Sequence, residues 1–126
     1  MNFRTPIKQA RGLGSAHHGT THWWLQRLTA IALVPLALWF AIGVATISSG
    51  GYDAAAAWVS APLNAVLMTL VVGVTFWHGA LGAQVILEDY VEHEALRKAL
   101  IVVVNFAAVV LGLLGVISVL RVAVGG

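Results

Sequence analysis

Three long stretches without a single charged side chain constrain this chain more than anything else in it. They run from Leu28 to about Ile47, from Pro62 to Leu87 and from Ala99 to Leu120, and none contains Asp, Glu, Lys or Arg. Each reaches the roughly 20 residues that an α-helix needs to cross ~30 Å of hydrocarbon. Backbone in lipid must satisfy its own hydrogen bonds, so helix is the form these stretches take. The reading is an all-α membrane protein of three transmembrane helices, at about 23–48, 62–88 and 97–122, in one domain over 1–126. The second stretch is long enough to require tilt or projection into the interface.

Composition closes off the soluble alternative. Of the 126 residues, 60% are hydrophobic and 10% charged, too few charges to clothe a soluble domain of this size. The first apolar run starts too far along and is too long for a signal-peptide core, so it is expected to stay as a helix. Cysteine is absent, which excludes a disulfide framework and a thiolate metal site. A net charge of +2 from scattered basic residues leaves no footprint for nucleic acid.

Orientation follows from the positive charges. Arg4, Lys8, Arg11 and Arg27 precede the first helix with no acid among them, and Arg97 and Lys98 close the loop between the second and third. The loop between the first two helices carries only Asp53. Basic residues favour the cytoplasmic side, while acids such as Glu88, Asp89, Glu92 and Glu94 count little. Both basic segments give one topology, with the N-terminus cytoplasmic and the C-terminus outside. Trp23 and Trp24 fit one interfacial belt and Trp58 the other.

His78 is the one ionisable group deep inside an apolar span. Such a residue marks a functional site by default, because its burial is costly without a partner. Neutral imidazole suits axial ligation of haem iron, and Gly79 and Gly82 beside it leave room for a flat macrocycle. The plainer reading is a histidine hydrogen-bonded to a neighbouring helix, with the glycines serving close packing. The chain has no second well-placed intramembrane histidine, so a six-coordinate haem would take its other ligand from another subunit.

Other candidates cluster at the cytoplasmic end. Tyr90 offers a phenolic donor to a carbonyl such as a quinone headgroup, with Asp89 beside it to orient donors or relay protons; seen in isolation, both read more simply as an interfacial tyrosine and a solvated acid. His78 and Tyr90 are 12 residues apart, ~18 Å along one helix. Arg27 matches a haem propionate with its planar fork, or snorkels to the interface. The spacings of His17, His18 and His22, adjacent and then four apart, are those a metal site can use, but the three read as a flexible, solvated N-terminal segment, and His93 as solvated among acids. Gln84, Gly112 and Gly115 are placed for contacts between helices, and Pro35 for a kink.

The segment from His78 through Gly82 to Asp89-Tyr90 resembles the H-x-x-x-G-x-x-x-x-x-x-D-Y segment of the small hydrophobic membrane-anchor subunit of succinate dehydrogenase, respiratory complex II. Arg27-Leu28-Thr29-Ala30, Val91 and Ala95-Leu96-Arg97 are similar to that family as well. The resemblance implies that His78 is one axial ligand to haem b, the other coming from a companion membrane-anchor subunit. It implies that Tyr90, with Asp89, contacts the quinone substrate and that Arg27 lies near the haem propionates. The spacing from His22 to Arg27 departs from the family pattern, so no propionate role carries over to His22. Implied partners are the companion anchor, an iron–sulfur subunit and a flavoprotein subunit, in the bacterial cytoplasmic membrane. An anchor of this kind is not an enzyme alone. The rivals are the anchor of a quinol:fumarate reductase, a small transporter or channel subunit, and a structural membrane subunit without cofactor.

Overall fold

The structure is a computed structural model and describes residues 17–125. Four helices follow one another: α1 (His17–Ile47), α2 (Gly51–Ser60), α3 (Pro62–Tyr90) and α4 (Glu94–Ala123). Among the described residues, α1, α3 and α4 are long and apolar enough to cross a membrane by length and composition. At 29 to 31 residues each, they are ~44–46 Å long at 1.5 Å per residue, well beyond the ~30 Å hydrocarbon core. Their ends therefore project from it or the helices tilt.

Two elements differ from expectation. The segment expected to be flexible is helical from His17 onward, so α1 starts about six residues before the anticipated boundary. The first loop contains the ten-residue helix α2. Its run Ala54–Ala57 is the strongest helix former available, and too short to span lipid. Gly51 enters α2 at φ +64°, a backbone setting that a Cβ disfavours. Ala61 is extended between α2 and α3, as a residue before proline tends to be, and Pro62 opens α3 where a missing N–H costs nothing.

Helix α3 lies at the centre. It packs against both α1 and α4, while no Cα of α1 comes within 8 Å of one in α4. The molecule is an open layer of helices with almost no interior. Among the described residues, Leu81 is the one buried hydrophobic side chain and Thr29 the one buried polar side chain.

Small residues set the spacing within this layer. A Cβ on Gly115 would stand 2.6 Å from Val72 Cγ1, and one on Gly112 would stand 3.5 Å from Phe76 Cβ. At the end carrying α2, a Cβ on Gly43 would collide with the indole of Trp58. That indole stacks on Trp39, centroids 4.9 Å apart, so Trp58 ties α2 to α1. Asn64 Nδ2 donates to the Trp58 carbonyl at 2.9 Å.

The opposite end is a tight corner. Three residues, Val91 to His93, join α3 to α4, and a connection this short holds the two helices antiparallel. His93 is exposed, as expected, and is also the N-cap of α4: its Nδ1 accepts from the Leu96 N–H at 3.2 Å. Arg97 Nη1 donates to the Val91 carbonyl at 3.2 Å. Lys98 and Glu94 pair at 2.6 Å one turn apart, with both side chains about 70% exposed. An exposed pair of this kind contributes at most about 1 kcal/mol.

Candidate functional site

His78 sits well inside α3, 12 residues before its end. Its Nδ1 is 2.9 Å from the hydroxyl oxygen of Thr29 on α1, across the crossing that buries Thr29 to 7% exposure. The same oxygen lies 2.8 Å from the Leu25 carbonyl and 3.0 Å from the Gln26 carbonyl, because a helical threonine reaches back to the preceding turn. His78 thus has the helix-to-helix bond of the plainer reading. That bond engages one ring nitrogen, and among the described residues no group hydrogen-bonds the other, Nε2. The ring is partly exposed.

The glycines beside His78 divide their roles. Nothing lies within 4 Å of a Cβ placed on Gly79, whereas a Cβ on Gly82 would meet Gln26 Nε2 at 3.6 Å. Gly79 therefore borders open space, and Gly82 lies against a side chain of α1.

One turn toward the basic end, a groove of about 610 Å³ opens between α1 and α3, lined by His22, Gln26, Gln84 and Glu88 among others. Gln84 Nε2 donates to Glu88 Oε1 at 2.9 Å. His22 Nε2 and Gln26 Oε1 are buried with no hydrogen-bond partner among the described residues. A buried polar atom without a partner costs roughly 1–3 kcal/mol, so the groove has unmet demand for a polar group. His22, expected to be solvated, is half-buried in this groove.

The remaining candidates face outward. Tyr90 is 81% exposed at the last residue of α3, and Asp89 beside it is exposed. Arg27 is exposed, with its guanidinium carbon 5.3 Å from the centroid of the Trp23 ring. Two residues along a helix amount to ~200° of rotation at 3.6 residues per turn, so Arg27 and Thr29 leave opposite sides of α1. The chain by itself therefore brings His78, Thr29 and the groove together, and leaves Arg27, Asp89 and Tyr90 facing outward. Arg4, Lys8 and Arg11, which carry part of the orientation argument, lie outside the described residues. Among the described residues, no three of His, Asp and Glu gather as a metal-binding set.

Sequence reasoning attached no role to Thr29 or Asn105. An uncharged threonine in an apolar run carries no signal of its own, and its partner lies 49 residues away. Asn105 lies exposed on α4, lining an apolar groove of about 460 Å³ with Gly73, Phe76 and Trp77.

The donor set suits a haem iron. An imidazole held through one nitrogen, with the other free of protein partners and open space at Gly79, is what an axial ligand needs.

The sequence profile described as succinate dehydrogenase/fumarate reductase transmembrane subunit matches residues 1–114. A succinate dehydrogenase hydrophobic membrane anchor subunit of Paracoccus denitrificans is 35% identical over 106 residues, covering 84% of this chain and 82% of that protein. Proteins of the same description from Rickettsia conorii and Rickettsia bellii are 32% and 33% identical, each over 86% of this chain and 87% and 86% of their own length. No solved structure matches significantly. With three membrane-length helices and a family profile covering nearly its whole length, the chain belongs to the succinate dehydrogenase/fumarate reductase transmembrane subunit family.

Proposed function

We propose that this chain is the hydrophobic membrane anchor subunit of a bacterial succinate:quinone oxidoreductase, seated in the cytoplasmic membrane. Its described relatives are named as succinate dehydrogenase anchors. In this reading it binds a companion anchor subunit, an iron–sulfur subunit and a flavoprotein subunit. His78 would ligate the iron of a haem b shared with the companion, and Tyr90 and Asp89 would form part of the quinone site. Arg27 serves the propionate region from the side of α1 that faces away from Thr29.

The observation that carries the reading is the state of His78. Its Nδ1 is engaged by Thr29, and Nε2 has no protein partner among the described residues. The bound haem supplies a one-electron centre within the membrane. The chain holds its ligand at a fixed depth, ~18 Å along α3 from Tyr90. Tyr90 donates its phenolic O–H to a quinone carbonyl, with the Asp89 carboxylate adjacent to accept or pass on a proton. Positioning is the protein's share of the work, and the electron chemistry belongs to the cofactors.

The test is a dithionite-reduced minus oxidised visible spectrum of the purified complex, for wild type and His78→Leu. The expected result is a b-type signal in the wild type that is altered or lost in the variant. An unchanged spectrum in the variant would overturn the ligation, and no haem in the wild type would leave a structural or haemless anchor.

A further inference from the structure

Thr29 is the buried polar side chain of the α1–α3 crossing, and its oxygen has three neighbours: His78 Nδ1 at 2.9 Å, Leu25 O at 2.8 Å and Gln26 O at 3.0 Å. A hydroxyl has one proton, and backbone carbonyls only accept. If that proton went to Nδ1, the hydroxyl oxygen would face two carbonyl oxygens at contact distance with no proton between them. The proton therefore goes to the preceding turn, and the oxygen accepts from the ring. Nδ1 carries the N–H and Nε2 is bare. The network assigns this tautomer from heavy-atom positions, as hydrogen-bond networks generally do.

Resting on the haem-ligation reading above, we propose that Thr29 is a positioning residue for His78: it selects the tautomer with a bare Nε2, fixes the rotation of the ring and raises the ligand's basicity. Histidine ligands are commonly held through the other ring N–H in this way, which fixes the ring and tunes the metal. A hydroxyl that itself donates to a carbonyl is a stronger acceptor than a free one, so the Leu25 carbonyl acts through Thr29 on the ring. Because Thr29 belongs to α1 and His78 to α3, the bond also ties the ligand's orientation to the contact between two helices.

The test uses the purified complex with Thr29→Val, which keeps the branched shape and removes the oxygen, Thr29→Ser, which restores the hydroxyl, and His78→Leu. Haem content, the haem midpoint potential and low-temperature EPR g values are read for each. Thr29→Val is expected to shift the potential to more positive values and to move the g values, since a less basic ligand stabilises oxidised iron less. Thr29→Ser is expected to return both to the wild-type position. Wild-type potential and g values in Thr29→Val would overturn the positioning role. If the valine variant fails to assemble, Thr29→Ala removes the same oxygen with less bulk and is judged by the same shifts. His78→Leu separates the two claims: an unaltered spectrum there overturns the ligation itself, while an altered one beside an unaffected Thr29→Val overturns only the role of Thr29.

Discussion

Arg97 reaches back across the corner between α3 and α4 and donates to the carbonyl of Val91 at 3.2 Å. Val91 directly follows Tyr90, so a side chain of α4 pins the turn that carries the candidate quinone residue. The bond is partly buried and charge-assisted, and its loss costs about 1–3 kcal/mol. Arg97→Ala is expected to lower the thermal stability of the purified complex. It should also reduce quinone reductase activity more than oxidation of succinate by a soluble dye. Equal loss of both activities would place the effect in assembly.

Tyr90 is 81% exposed, and its side chain makes no bond to the rest of the chain among the described residues. Its substitution therefore has little cost within the fold. Tyr90→Phe keeps the ring and removes the donor, and is expected to lower turnover with quinone by roughly tenfold, about 1.4 kcal/mol, with normal assembly of the complex. Native turnover in this variant would remove the hydroxyl from the site.

Gly115 and Gly79 make a matched pair of packing tests. A Cβ on Gly115 meets Val72 Cγ1 at 2.6 Å, whereas one on Gly79 meets nothing within 4 Å. Gly115→Val is expected to push α4 from α3 at a cost of about 1–3 kcal/mol, read as lost assembly or a lower melting temperature. Gly79→Ala leaves the helix contacts intact. If Gly79 borders the haem, the alanine perturbs the visible spectrum without affecting assembly.

Trp58 is wedged over Gly43 and stacked on Trp39. Trp58→Ala removes the side chain that ties α2 to α1, and large aromatic-to-alanine changes cost roughly 3–5 kcal/mol in a core. Here the ring is only partly buried, so the expected cost is about 1–2 kcal/mol, part of it from the lost stacking. Differential scanning fluorimetry of the purified complex is the measurement.

The three spans were legible because absence of charge over some 20 residues has a single physical meaning. The elements that escaped were those without a long apolar run. Helix α2 carries only Asp53 as a charge and is too short to span, so it falls within what reads as a loop between two spans. The first turns of α1 contain His, Thr and Trp, which show no helical pattern; their half-buried members pack beside α3 in the groove with Gln84 and Glu88. His93 is not among the residues that usually cap helices, yet its ring nitrogen does so. His78 was legible as the odd ionisable residue of its span, but Thr29 was not. Its significance lies in a partner 49 residues distant, and only the crossing of two helices brings that partner within reach. Arg27, Asp89 and Tyr90 were legible as types, but their outward placement followed only from the helices that carry them.

The separation of α1 from α4 has a consequence for how such a chain changes over generations. With α3 touched on two sides and no closed core, nearly every lipid-depth position on the outer helices is a border with another molecule. A substitution there is tested first by lipid or by a neighbouring subunit. Drift in the outer helices is therefore expected to track the neighbours' drift, while α3 and the small residues against it hold still.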